Sequence, residues 1–411
     1  MDYELNIREV IYALTEALDL VGIDDTRHGK RVAFIAAECA RAAGFDEAFI
    51  DDIIGIGMLH DCGVSTTDVH RSLVTQLEWK DEQIHCERGA ILLGKVALFQ
   101  RFALPVYYHY THWELLEHLP VDRRVKQLAN LIYLSDRVDA LRSQMGGTGL
   151  ERSAEIERII VEHSGTFFAP DFVEAFRTAS GRNSFWFSLE DEPLEEQLME
   201  WVGRGENKPF SFSAVREMAQ MFADVVDAKS PFTFEHSFGV AALANFLARG
   251  FGLDEQRRET VEIAALLHDL GKLRVEDAIL NKNGRLDTGE KILMNRHGFD
   301  SNMILRRIHG FREIARIASL HHEMLDGKGY PYSLGEEDIP LEARIVTVAD
   351  IFQALVQTRP YRAAMEPDAA FAILQDMADA GKVDTAVVAM IGTNLQQAYR
   401  LAKYKERVKA A

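Results

Sequence analysis

Apolar residues recur at spacings of three and four along most of the chain, beginning with Ile7, Val10, Ile11, Leu14 and Leu18. That period places them on one stripe of an amphipathic α-helix. This first helix is predicted to end near Gly22, where the absence of a Cβ allows a left-handed cap. Segments that alternate apolar and polar with the period of a strand are scarce, and only 10 prolines interrupt 411 residues. The pattern predicts an all-α fold.

Laid against itself, the chain carries the pattern twice. His28 to Gly63 matches His236 to Gly271 at a constant offset, pairing Val32 with Val240, Arg41 with Arg249, Gly44 with Gly252, Asp46-Glu47 with Asp254-Glu255, and His60-Asp61 with His268-Asp269. Four residues more are inserted before His297 and His321, which pair with His85 and His109, and two more before Asp350 and Ala354-Leu355, which pair with Asp136 and Ala140-Leu141. Two related helical domains in tandem are expected. Between them Ser188 to Glu200 is dense in acid, and Gly203, Gly205 and Pro209 follow. The boundary is placed near 205, giving domains of 1–204 and 205–411. The acidic run itself reads as a solvated helix face.

Composition narrows the function. With 47% hydrophobic and 27% charged residues the chain can bury substantial cores, which excludes an intrinsically disordered protein. Lys and Arg total 46 against 64 Asp and Glu, a net charge of -18, so the surface repels DNA, RNA and anionic lipid. No run approaches the ~20 apolar residues that span a bilayer. The opening Met1-Asp2-Tyr3-Glu4-Leu5-Asn6 lacks the basic and apolar regions of a signal peptide, so a cytoplasmic protein is expected. Three cysteines, Cys39, Cys62 and Cys86, are too few for a disulfide framework or a thiolate zinc site and read as reduced, buried thiols. Cys62 in particular reads as a small buried hydrophobe.

The second half concentrates chemistry. His236, His268 beside Asp269, His297, the pair His321-His322, and Asp350 form a set of imidazoles and carboxylates suited to iron, manganese or zinc rather than copper(I) or an iron–sulfur cluster. A single histidine in an apolar helix is ordinarily a hydrogen-bonded core residue. Paired histidines, a His-Asp step after Ala264-Ala265-Leu266-Leu267, and an Asp after Arg344-Ile345-Val346-Thr347-Val348 are jointly costly to bury without a cation. Seven ligands exceed the need of one ion, so two divalent ions are expected, with Asp269 bridging. His236, His268 and Asp350 would complete one site, and His297, His321 and His322 the other. Iron or manganese is preferred, with nickel, magnesium and zinc as alternatives. Two such ions make water nucleophilic at neutral pH and stabilise a phosphodiester under in-line attack.

Lys272, three residues after Asp269, is placed to hold a phosphate oxygen or to protonate a leaving alkoxide if Gly271 permits a turn; the alternative is a solvated lysine. Asp326-Gly327-Lys328-Gly329-Tyr330-Pro331 is a glycine-rich loop able to approach a ligand. Arg359 and Arg362 offer forked donors for phosphate or guanine, a local positive patch on an acidic protein.

These residues resemble the HD-GYP family of bacterial cyclic dinucleotide phosphodiesterases. The resemblance is carried by His268-Asp269-Leu270-Gly271-Lys272, by the long segment from His321-His322-Glu323 to Tyr330-Pro331, and by Ala349-Asp350 with Arg359-Pro360-Tyr361-Arg362. It implies an all-helical HD domain whose two- or three-metal centre linearises cyclic di-GMP to pGpG and often cuts on to GMP. It also implies catalytic roles for Asp269 and Lys272, and substrate contacts from Lys272, Gly327, Tyr330, Arg359 and Arg362. Trinuclear members carry a Glu four residues before the first histidine; here that position is Phe232, with Glu235 next to His236, so a binuclear site is expected. Cyclic di-GMP is the default substrate and 3′3′-cyclic GMP-AMP the alternative, since some members with an appended HD domain prefer it. A non-catalytic cyclic dinucleotide receptor conflicts with the intact ligand set and Lys272. A one-metal HD nucleotide phosphohydrolase would lack the His-His-Glu to Tyr-Pro segment.

The first half reads as a degenerate HD domain. His28, His60, Asp61 and Asp136 could still build a mononuclear site, and His85 and His109 persist. Val64 stands in place of the lysine and Tyr110 in place of the second paired histidine, and nothing corresponds to the Gly-Tyr-Pro loop. A regulatory or dimerising domain is expected, with His112 a weak substitute for the lost ligand. A homodimer and diguanylate cyclase-type signalling partners are the associations such a tandem suggests.

Overall fold

The computed structural model describes residues 2–21, 27–64, 66, 82–146, 149–229, 236–358 and 362–403. The chain divides into two compact units, Asn6–Asn207 and Met1–Leu5 together with Lys208–Ala411. Among the described residues both are built of helices, and the exception is a two-stranded sheet pairing Asp2–Asn6 with Asn207–Ser211. Five residues per strand are too few for alternation to stand out in the sequence. The opening strand thereby belongs to the unit formed by the far end of the chain.

Each unit repeats one packing scheme. In the first, His28–Ala42 packs on Glu47–Leu59 and on Arg123–Met145; in the second, His236–Gly250 packs on Glu255–Leu267 and on Leu341–Val356. The repeat extends to the caps. The Asp46 carboxylate accepts from Phe49 N at 2.8 Å and Asp254 accepts from Arg257 N at 2.9 Å, each satisfying an orphan donor at a helix start, worth about 1 kcal/mol. Just before these caps, Gly44 (φ 79°) and Gly252 (φ 71°) take the left-handed turn that a side chain would strain.

The opening helix runs Ile7–Asp19, with Val10, Ile11 and Leu14 buried and Ile7 and Leu18 half-buried; Gly22 lies outside the described residues. The acidic run forms the helix Asp191–Gly203, with Asp191, Glu192, Glu196 and Glu200 exposed. Glu195 departs from a purely solvated face: it accepts from Tyr12 Oη and from Lys30 Nζ at 3.2 Å. Among the described residues no helix is long and apolar enough to cross a membrane.

Candidate metal centre

Helix ends deliver the second unit's side chains to one place. His236 opens the helix His236–Gly250, His268 closes Glu255–Leu267, and Asp269 begins the 3-10 turn Leu270–Arg274. His297 opens His297–Leu305, His321 and His322 follow Arg312–Ser319, and Asp350 lies within Leu341–Val356. All seven residues predicted as ligands converge, in the groups His236, His268, Asp350; His268, Asp269, His321; and His297, His321, His322.

Asp269 stands between the outer groups. Its Oδ2 lies 3.3 Å from His268 Nε2 and 3.5 Å from His236 Nε2, while its Oδ1 lies 3.6 Å from His297 Nε2 and 3.7 Å from His321 Nε2. Asp350 Oδ1 is 3.2 Å from His236 Nε2. The Nδ1 atoms of His268, His297 and His321 each face the carbonyl three residues back, Ala265, Met294 and Ala318, at 2.7, 2.5 and 2.7 Å. A proton on Nδ1 satisfies that carbonyl and leaves the Nε2 lone pair aimed inward, the orientation a metal ligand needs.

Electrostatics agree with a cation site. Burial pushes His297 down to about 4 and His322 down to about 3, so both imidazoles are neutral near pH 7. Burial opposes ionisation of Asp269 and Asp350, but His268 and Lys272 around the first, and His236 and His268 around the second, hold both carboxyls well below the usual range. Asp269 Oδ1 is nonetheless buried without a hydrogen bond. A buried carboxylate oxygen facing imidazole lone pairs is costly unless a cation lies among them, so these residues fit divalent metal.

The other predicted residues separate into three groups. Lys272 Nζ lies 2.5 Å from Asp269 Oδ2, at the edge of the cluster. Gly271 secures this by close approach rather than by a left-handed turn: a Cβ there would lie 2.2 Å from His297 O. Tyr330 packs its ring 4.7 Å from that of His322, and Gly327 (φ 73°) shapes the loop before it. The Arg362 guanidinium instead donates to Ala354 O at 2.7 Å and Leu355 O at 3.0 Å, closing the end of Leu341–Val356. Arg359, Phe232 and Glu235 lie outside the described residues.

Three supporting residues escaped the sequence reading. Gln353 Oε1 meets His236 Nδ1 at 2.5 Å, orienting the one cluster histidine that starts a helix and meets a side chain there. Ser301 Oγ accepts from Gly271 N and donates to His268 O, at 2.9 and 3.0 Å. Glu323 accepts from Tyr332 N and Leu334 N at 2.7 and 3.0 Å, fastening the Tyr-Pro loop. The available hint for Gln353 was a polar side chain three residues beyond Asp350 in the otherwise apolar stretch from Ile351 to Val356.

The first unit gathers the matching positions differently. His28 Nε2 lies 3.0 Å from Asp136 Oδ1 and its Nδ1 lies 2.8 Å from Asp139 Oδ2. Burial works against charge on His28, but hydrogen bonds to Asp136 and Asp139 prevail and raise its pKa well above the ordinary value. Asp136 Oδ2 is taken by Tyr110 Oη at 2.5 Å and Arg137 Nη2 at 2.7 Å, so a buried guanidinium balances this carboxylate. His28, His60 and Asp136 still form a group able to hold an ion. His112 is not part of it and stacks on Phe167, ring centres 3.9 Å apart.

Known proteins share this architecture. The HD-domain family matches residues 26–141, and a second HD-domain family matches residues 220–387. The 3′3′-cGAMP-specific phosphodiesterase 1 of Vibrio cholerae is 34% identical over 98% of this chain and 95% of its own length. The 3′3′-cGAMP-specific phosphodiesterase 3 of that organism is 33% identical over 72% of this chain and 63% of its own. The cyclic di-GMP phosphodiesterase response regulator RpfG of Xanthomonas campestris is 37% identical over 44% of this chain and 47% of its own. A solved V. cholerae cyclic GMP-AMP-specific phosphodiesterase, V-cGAP3, superposes with a TM-score of 0.64 at 25% identity, covering 98% of this chain and 100% of that one. With both HD matches, the ligand cluster and a relative aligned nearly end to end, the chain belongs to the HD-GYP family of metal-dependent phosphodiesterases, with an HD domain ahead of its HD-GYP domain.

Proposed function

We propose that the second unit hydrolyses a 3′,5′ phosphodiester of a cyclic dinucleotide and prefers 3′3′-cyclic GMP-AMP. The observation that carries the chemistry is Asp269, which turns one oxygen to each of two histidine groups. His236, His268 and Asp350 would hold one divalent ion and His297, His321 and His322 the other, with Asp269 shared. When bound, iron or manganese would supply Lewis acidity, activating water and neutralising charge on the phosphate. Lys272 supplies an ammonium beside Asp269 to hold a phosphate oxygen or to protonate the leaving alkoxide. Tyr330 offers a ring wall next to His322. Arg359 and Arg362 would serve the substrate's outer edge, Arg362 only on leaving the carbonyls of Ala354 and Leu355.

The substrate preference is supported by length of alignment: the relatives that run beside the whole tandem are named for cyclic GMP-AMP. Cyclic di-GMP is the second reading, favoured by the RpfG match within part of the chain. The test is hydrolysis of both dinucleotides at equal concentration by chain loaded anaerobically with Fe(II) or Mn(II), with Asp269→Ala beside it. Faster turnover of cyclic GMP-AMP, lost in the variant, is expected. Preference for cyclic di-GMP would transfer the assignment, and tight binding without turnover would make the protein a receptor.

A further inference from the structure

We propose that the first unit holds a metal ion of its own in a closed, thiolate-containing site formed by His85, Cys86, His109 and Asp61, of the kind zinc occupies. His85, Cys86 and His109 form a buried group whose ligand atoms lie close together. Cys86 Sγ is 3.7 Å from His85 Nε2 and 3.9 Å from His109 Nε2, and His85 Nε2 is 3.5 Å from Asp61 Oδ1. Zinc bonds of about 2.3 Å to sulfur and about 2.0–2.1 Å to nitrogen or oxygen, at tetrahedral angles, separate S from N by about 3.6 Å and N from O by about 3.4 Å. The three separations from Cys86 to His85, Cys86 to His109 and His85 to Asp61 lie close to those values.

Two further observations point to a cation. Both carboxylate oxygens of Asp61 are buried without a hydrogen bond, although three imidazoles surround them. His109 Nδ1 meets Val106 O at 2.6 Å, which turns its Nε2 toward the thiol. The charge also balances: a thiolate, a carboxylate and a divalent ion sum to zero, the condition a fully buried site favours. Binding forms the metal–sulfur bond as the thiol proton passes to solvent, with no change of oxidation state.

The set remodels the second unit's cluster: His85, His109 and Asp61 stand where that unit has His297, His321 and Asp269, and Cys86 is the added ligand. There Gly298 occupies the place of Cys86 and His322 that of Tyr110. The first unit has lost one nitrogen ligand, its replacement Tyr110 being bound to Asp136, and has gained a sulfur. Four protein ligands leave no open position, so the ion serves structure, tying Glu82–Gly94 and the end of Gln100–Tyr108 to the turn after Glu47–Leu59.

The full-length chain loaded with Co(II) under anaerobic conditions reports this ligand set. A sulfur-to-cobalt charge-transfer absorption in the near ultraviolet is expected in the unmutated chain and in Asp269→Ala, and its loss is expected in Cys86→Ser and Cys86→Ala. Persistence of the band in Cys86→Ser, or its absence from the unmutated chain, would overturn the proposal. Should the Cys86 variants fail to fold, zinc-edge X-ray absorption on the unmutated chain decides: a sulfur neighbour at about 2.3 Å supports the site, and a shell of nitrogen and oxygen alone refutes it.

Discussion

The two units share their helices, caps and close approaches, yet a few substitutions give their buried clusters different chemistry. Where the second unit has His322, Ile351, Gly298, Gln353 and Lys272, the first has Tyr110, Arg137, Cys86, Asp139 and Val64. In the second, Asp350 meets only imidazoles among the described cluster and His236 faces a neutral amide. In the first, Asp136 is claimed by a tyrosine and an arginine, and His28 is held between two carboxylates. Both sets hang on the same scaffold positions, most of them at helix ends and Asp350 and Asp136 inside the matching helices Leu341–Val356 and Arg123–Met145. Catalytic capacity therefore resides in the side chains and not in the HD-type fold itself.

The comparison can be broken at several points. Lys272 has no counterpart, since Val64 fills its place, so Lys272→Ala should lower kcat by about 10²–10⁴-fold if it protonates the alkoxide. Steady-state kinetics with elemental analysis check this, metal content staying constant. Gln353 orients His236 as Asp139 orients His28; Gln353→Ala should cost about 10–100-fold in metal affinity or turnover, read by titration of metal into the apoprotein.

Smaller effects test what the units share. A Cβ at Gly63 would lie 2.0 Å from His85 O, the counterpart of the Gly271 contact with His297. Gly63→Ala and Gly271→Ala should each destabilise by roughly 1–3 kcal/mol in thermal unfolding, since a backbone carbonyl must move. Asp19 and Asp227 also correspond: burial pushes the first up to about 6 and the second up to about 7, Lys30 opposing at Asp19 and Ser237 at Asp227. With an unfolded value of about 3.9, the Asp19 contribution is fully present below about pH 4 and lost as pH rises through about 6. Asp19→Asn should flatten stability across that window and add about 1–2 kcal/mol at neutral pH, measured by denaturant unfolding at a series of pH values.

Much of this was legible in the sequence. The three-and-four periodicity gave the helices, and self-alignment gave the repeat, because both depend on local spacing. The seven cluster residues stood out because His-Asp and His-His steps beside apolar runs have few inexpensive explanations. What escaped depends on tertiary packing. The strand Asp2–Asn6 finds its partner some two hundred residues away. Gln353 and Ser301 act on residues from other helices, and Gly271 answers to a distant backbone rather than to its own turn. Cys86 looked inert because counting thiols cannot reveal that its sulfur lies beside two imidazoles, His85 from its own helix and His109 from the end of another.

The central claim is that two-ion chemistry belongs to the second unit and not to its relative. His268 and His60 occupy the same place, each meeting the carbonyl three residues back at 2.7 Å. Cyclic dinucleotide hydrolysis by His268→Ala and His60→Ala, each checked for fold by circular dichroism, tests that claim most directly. Turnover abolished in His268→Ala and retained in His60→Ala is the predicted result. A folded His60→Ala that loses turnover, or a His268→Ala that keeps it, would contradict the account.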